Sequence, residues 1–96
     1  MQFEQFKASL AGASPPAEVG PPAQALWWQA KGDWHRAHRC VQDVHNQQGA
    51  WAHAHLHRVE GDLDNAGGWY RRAGKTPSTA PLDTEWDEIA SALLSR

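Results

Sequence analysis

Residues 23–44, AQALWWQAKGDWHRAHRCVQDV, return in altered form at residues 52–73 as AHAHLHRVEGDLDNAGGWYRRA. Ala23, Ala25, Gly32, Asp33 and Ala37 recur 29 positions later as Ala52, Ala54, Gly61, Asp62 and Ala66. A fixed period of this kind marks stacked helix pairs, because each pair has an apolar face that only a neighbouring pair can cover. In both copies Gly stops one helix and Asp offers its carboxylate to the free N–H groups of the next. Trp34, Ala37, Val41 and Val44 then fall at i, i+3, i+7 and i+10, and Leu63, Ala66, Tyr70 and Ala73 repeat that apolar stripe. The expected fold is all-α: two helix-turn-helix units of period 29, stacked with a right-handed twist, plus a C-terminal capping helix.

Working outward, the spacing predicts helices over about 23–31, 34–46 and 50–60, with Asn46, Gln47, Gln48 and Gly49 as a connection. A fourth helix follows Asp62, and Gly67 and Gly68 inside it imply close helix packing to offset their poor helix propensity. The capping helix spans 83–94, begins at Asp83 or Thr84, and has Leu82, Trp86, Ile89, Ala90, Leu93 and Leu94 along one face. Before the first unit, residues 3–11 suit a short helix, and two Pro pairs make 12–22 a semi-rigid arm. Residues 1–22 therefore form an N-terminal element, and 23–96 the helical domain.

Composition agrees with close-packed helices, since six Trp stand against sixteen Ala, while four Val, one Ile and three Thr are too few for a sheet. Nine basic and eleven acidic residues create no broad field of one sign, which argues against nucleic-acid and anionic-membrane partners. A single cysteine, Cys40, excludes an internal disulfide and suits a reducing cytoplasm. The N-terminal residues lack the basic start and apolar run of a secretion signal, and no stretch is apolar for long enough to span a bilayer.

The small residues, Gly-Asp corners and second-helix Ala of residues 23–75 resemble the tetratricopeptide and Sel1-like class of helical repeats. The resemblance implies a stack of helix pairs used for protein binding, although this period is shorter than the usual 34. A second similarity is to short proteins of unassigned activity with a motif like WAHAHLHRVEGDLDNA, here 51–66, followed by WYRRAG at 69–74.

The chemistry concentrates in six histidines between positions 35 and 57. On the 50–60 helix, His53, His57 and Glu60 lie within about 60° of one another, whereas His55 points away. On the preceding helix His38 and His45 share a face. An antiparallel turn between the two helices sets His45 against His53, and His38 against His57 and Glu60. His53, His57 and Glu60 then form a candidate metal set, with water in the remaining positions. The competing reading is structural: His38 pairs with Glu60, His45 complements a helix C-terminus, and His53 and His57 satisfy carbonyl groups. Imidazoles clustered in this way also suit a pH-sensitive hairpin.

Other ligand-binding candidates are Trp28 and Trp69, each adjacent to a second aromatic so that one of the pair must face outward. Arg58, Arg71 and Arg72 can hold an anion, or pair with Glu60, Asp62 or Asp64. Asp33 and Asp62 read as helix caps, and Cys40 lacks the setting of a nucleophile. No catalytic residue is singled out. The first expectation for function is a protein-binding or self-associating module, which includes a homodimer. The second is a metal- or small-ligand-binding protein, including a metal-assisted hydrolase, built on the histidine cluster. No organic cofactor is expected; a divalent metal such as zinc is the ion the cluster suits.

Overall fold

The computed structural model describes residues 1–95, and among them no strand forms. Six helices follow in order: α1 (Phe3–Ala8), α2 (Pro21–Ala30), α3 (Trp34–Val41), α4 (Gln47–Val59), α5 (Leu63–Ala73) and α6 (Leu82–Leu94). A short 3-10 turn at Ser9–Ala11 extends α1.

The two Gly-Asp corners have nearly the same backbone. Gly32 and Gly61 take φ of 86° and 84°, a left-handed conformation that costs little without a Cβ. The next amide then turns back, Asp33 N–H to Trp28 C=O at 3.0 Å and Asp62 N–H to His57 C=O at 2.9 Å. Asp33 accepts from the Arg36 N–H and Asp62 from the Asn65 N–H, so both are helix caps. These corners fold α2 onto α3 and α4 onto α5, and α2 and α3 also pack on α4.

The largest boundary differences from the sequence reading lie between α3 and α4, while α2 also takes in Pro21 and Pro22 of the expected arm. α3 ends at Val41, five residues short of the expected 46, and α4 begins at Gln47, three before the expected 50. The reason lies at Asn46, whose carboxamide oxygen accepts the Gly49 N–H at 2.8 Å and so opens a new helix. Gly49 lies so close to Val44 that a Cβ there would sit 2.6 Å from both Val44 Cγ1 and Val44 O. α6 starts after Pro81 with no side-chain cap, and Asp83 and Thr84 belong to its first turn.

Gly67 and Gly68 reverse the expectation of close packing. A Cβ at either would meet only the Arg71 guanidinium, at 3.8 and 3.7 Å, which is ordinary contact. Gly67→Ala and Gly68→Ala should each stabilise the fold by about 0.5–1 kcal/mol, because Ala loses less chain entropy in a helix. Gly49→Ala should destabilise it by about 1–3 kcal/mol through the clash with Val44. Urea midpoints of the three variants test both signs.

α6 does not extend the stack beyond α5; its main contacts are with α4, α2 and α1. Trp86 fixes it there, donating its indole N–H to the Leu26 carbonyl at 2.8 Å and stacking on Phe6 at 5.8 Å. The N-terminal segment docks as well: Trp27 donates to Ser9 Oγ at 3.0 Å, and Lys31 donates to the Leu10 and Gly12 carbonyls. Phe6 and Val19 thereby join Leu26, Trp27, Val41, Leu56 and Ile89 in the main core. Ala54, Ala66 and Tyr70 form a smaller core between α4 and α5. Leu63 is the exception to its stripe, at 66 % exposed.

Candidate metal centre

His53, His55 and His57 alternate along α4, so the helical turn directs His53 and His57 to one side and His55 to the other. On the first side His38 of α3 completes a cluster. Its Nε2 lies 3.0 Å from His53 Nε2, one imidazole donating and the other accepting. One ring nitrogen from each of His38, His53 and His57 falls within 4.8 Å of the others. Tetrahedral zinc with bonds of about 2.0–2.1 Å holds its nitrogen ligands about 3.4 Å apart, closer than the 4.8 Å bound within which these three fall.

Aromatic rings hold the cluster in place. Trp34 stacks on His38 at 5.0 Å and donates its indole N–H to the Leu56 carbonyl at 2.7 Å. Trp69 stacks on His53 at 3.8 Å, and His53 lies nearly parallel to His57 at 4.9 Å. His53 and His57 are buried, at 3 % and 6 % exposed, while His38 is half-buried. Burial, and then the neighbouring His38 and His57, lower the His53 pKa to about 3. Burial and His57 likewise lower that of His38, with Glu60 opposing. A neutral imidazole is the form that ligates a metal.

Glu60 does not stand beside His53 as a third ligand. Its carboxylate accepts the Nδ1–H of His57 at 2.6 Å, and Nε2 of that ring, which has the Asn65 side-chain amide at 3.5 Å, is the nitrogen left to meet a metal. Such a carboxylate behind a ligating imidazole fixes its tautomer and orientation. A second group, His57, Glu60 and Asp62, also brings ligand atoms within 4.8 Å, but its two carboxylates are exposed.

His45 stays outside the cluster because α3 stops four residues before it; it is exposed and lines a shallow cleft with Trp69 and Arg72. The Arg72 guanidinium lies 4.4 Å over Trp69, and that of Arg36 4.3 Å over Trp28. Trp28 and Trp69 are the outward members of their pairs, with Trp27 and Tyr70 buried. Arg71 is exposed beside the two glycines. Among the described residues none of Arg58, Arg71 and Arg72 forms a salt bridge with Glu60, Asp62 or Asp64. Cys40 is half-buried, and burial raises its thiol pKa against the pull of Arg39 and Arg36, the opposite of an activated nucleophile.

The other side of α4 has a polar network that the sequence reading missed. His55 and Glu85 are 1 % and 2 % exposed, with His55 Nδ1 2.7 Å from Glu85 Oε1. Arg58 donates to the same oxygen at 3.0 Å and to the Ala80 carbonyl, while the Tyr70 hydroxyl donates to Oε2. Burial works to raise the Glu85 carboxyl pKa, but the bonds from His55, Tyr70 and Arg58 outweigh it and hold the group below its usual range. Burial and the bond to Glu85 push the Tyr70 hydroxyl above its usual range. Two signals were present in the sequence: His55 stands where the first unit has Leu26, and Glu85 falls on the apolar face of α6.

No family model, curated protein or solved structure matches the chain. No helix is long and apolar enough among the described residues to cross a membrane.

Proposed function

We propose that this protein binds a divalent transition metal of the zinc class through His38, His53 and His57. One observation carries the reading: three imidazoles from two helices converge within 4.8 Å, and Glu60 sits behind His57. An all-nitrogen set suits zinc, copper or nickel better than magnesium or calcium. Three histidines leave a fourth position for water, so metal-assisted hydrolysis is the activity such a site would support. When bound, the metal would supply Lewis acidity. The chain's own contribution is to keep His38 and His53 neutral, orient His57 through Glu60, and shield the site with Trp34 and Trp69.

Equilibrium dialysis of untagged, chelator-treated protein against zinc tests this reading. The expected result is one zinc per chain, with binding lost in His53→Ala and His57→Ala. Glu60→Gln should weaken affinity about 10–100-fold, as loss of a carboxylate behind a ligand does elsewhere. His45→Ala should leave it unchanged. Zinc at one hundred times its dissociation constant should stabilise the fold by about 2.7 kcal/mol. Sub-stoichiometric zinc, or binding indifferent to His53→Ala, would sink the proposal.

The scaffold we assign is a two-unit repeat of the tetratricopeptide or Sel1-like type, right-handed and read as cytoplasmic; the matching Gly32 and Gly61 corners support the repeat. A second reading, self-association or protein binding, is favoured by Leu63, exposed where the first unit places a half-buried Trp34. Light scattering over a concentration series, with Leu63→Glu as the variant, tests it; a monomer at every concentration contradicts self-association.

A further inference from the structure

Trp34 opens α3 and is covered by α4, to whose Leu56 carbonyl it donates its indole N–H. Leu63, its counterpart at the start of α5, stands 66 % exposed. The packing of α5 is on α4, and α6 docks on α4, α2 and α1 instead of covering the outer side of α5. Ala66, Tyr70 and Ala73 turn inward from α5, so helical phase turns Asp64, Gly67, Gly68 and Arg71 outward.

This outer stripe has an order. Asp64 comes three residues before Gly67, and Arg71 three residues after Gly68. Both charged residues are exposed, and neither forms a salt bridge among the described residues. The Arg71 guanidinium lies over the two glycines, 3.8 and 3.7 Å from where their Cβ atoms would stand, and no neighbour within the chain makes use of their bare backbone.

A stripe that is acidic at one end, bare in the middle and basic at the other complements itself in one orientation only. A parallel copy would set Asp64 against Asp64 and Arg71 against Arg71. An antiparallel copy, related by a two-fold axis between Gly67 and Gly68, sets each Asp64 against the Arg71 of the other chain. With no Cβ at the centre, the helix axes can approach to about 8 Å, the near limit for packed helices. Each guanidinium then turns from its own glycines to the facing carboxylate, and its aliphatic stem lies along the exposed Leu63. Such charge complementarity sets register and excludes the parallel pairing.

We infer that the outer face of α5 is the interface of a symmetric homodimer, with two Asp64–Arg71 pairs flanking a contact at Gly67 and Gly68. The inference rests on the self-association reading above and gives it a surface, an orientation and a partner, a second copy of this chain. None of the metal ligands takes part.

Sedimentation equilibrium of the metal-free full chain over a concentration series tests it. The wild-type chain should dimerise. Asp64→Arg and Arg71→Asp should each raise the dissociation constant by about tenfold or more, because the two-fold axis doubles every like-charge contact. An equimolar mixture of the two variants should restore dimerisation to within about threefold of wild type, since the swapped charges again face their opposites. Gly68→Leu, at a position where a Cβ meets only Arg71, should keep the circular dichroism and abolish the dimer by holding the helices apart. A dimer indifferent to Asp64→Arg or to Gly68→Leu, or a mixture that stays monomeric, would overturn this interface while leaving self-association through another face. A wild-type monomer at every concentration would overturn both.

Discussion

Glu85→Ala is expected to cost about 3–5 kcal/mol, most of the stability available to a domain of this size. The carboxylate joins three helices: His55 and Arg58 reach it from α4 and Tyr70 from α5, while Glu85 itself belongs to α6. The substitution leaves a guanidinium with its side chain only 14 % exposed and no counter-charge, and leaves two buried donors unpaired. The penalty for stranding buried partners exceeds what the bonds are worth in isolation. Glu85→Gln keeps the shape but removes the charge, and should cost about 1–3 kcal/mol. Urea denaturation with an unchanged m-value measures both. A loss below 1 kcal/mol for Glu85→Ala would mean that the network is not closed in solution.

The metal-free protein should lose stability steadily below pH 6.5. His53 titrates at about 3 in the folded chain and near 6.5 when unfolded, so between these values only the unfolded state takes the proton. Stability from this group is therefore complete above pH 6.5 and falls by about 1.4 kcal/mol for each pH unit below it. His38, also lowered, contributes in the same direction. Glu85 adds a further loss below its ordinary 4.5, because protonation breaks the bonds that hold its pKa down. Urea midpoints at a series of pH values from 7 to 4.5 should show the slope, and His53→Gln should flatten it. A midpoint independent of pH over that range would contradict the burial of a neutral His53.

The parts of the fold legible in the sequence were those fixed by local chemistry. Gly32-Asp33 and Gly61-Asp62 announced their corners because left-handed Gly and a capping carboxylate act within a few residues. The end of α3 was missed because Val44 continues an apolar stripe, yet the helix stops at Val41 and Asn46 caps the next one by accepting the Gly49 N–H. Gly67 and Gly68 were misjudged for the converse reason, since the space beside a helix is a tertiary property.

The same division holds for the site. Helical phase brought His53 and His57 together and turned His55 away, and the antiparallel turn brought in His38. Phase within one helix could not tell a ligand from its support, so Glu60 looked like a third ligand when it bonds to the back of His57. The His55–Glu85 pair joins residues 30 apart in sequence through the docking of α6, and no local spacing encodes that.

The most direct test of the metal assignment is the long-range 1H–15N spectrum of the six imidazoles as zinc is added to metal-free protein. His38, His53 and His57 should shift together and saturate at one equivalent, while exposed His35 and His45 and the Glu85-bound His55 stay in place. No change up to one equivalent, or gradual unsaturated shifts at His35 and His45 alone, would contradict the site.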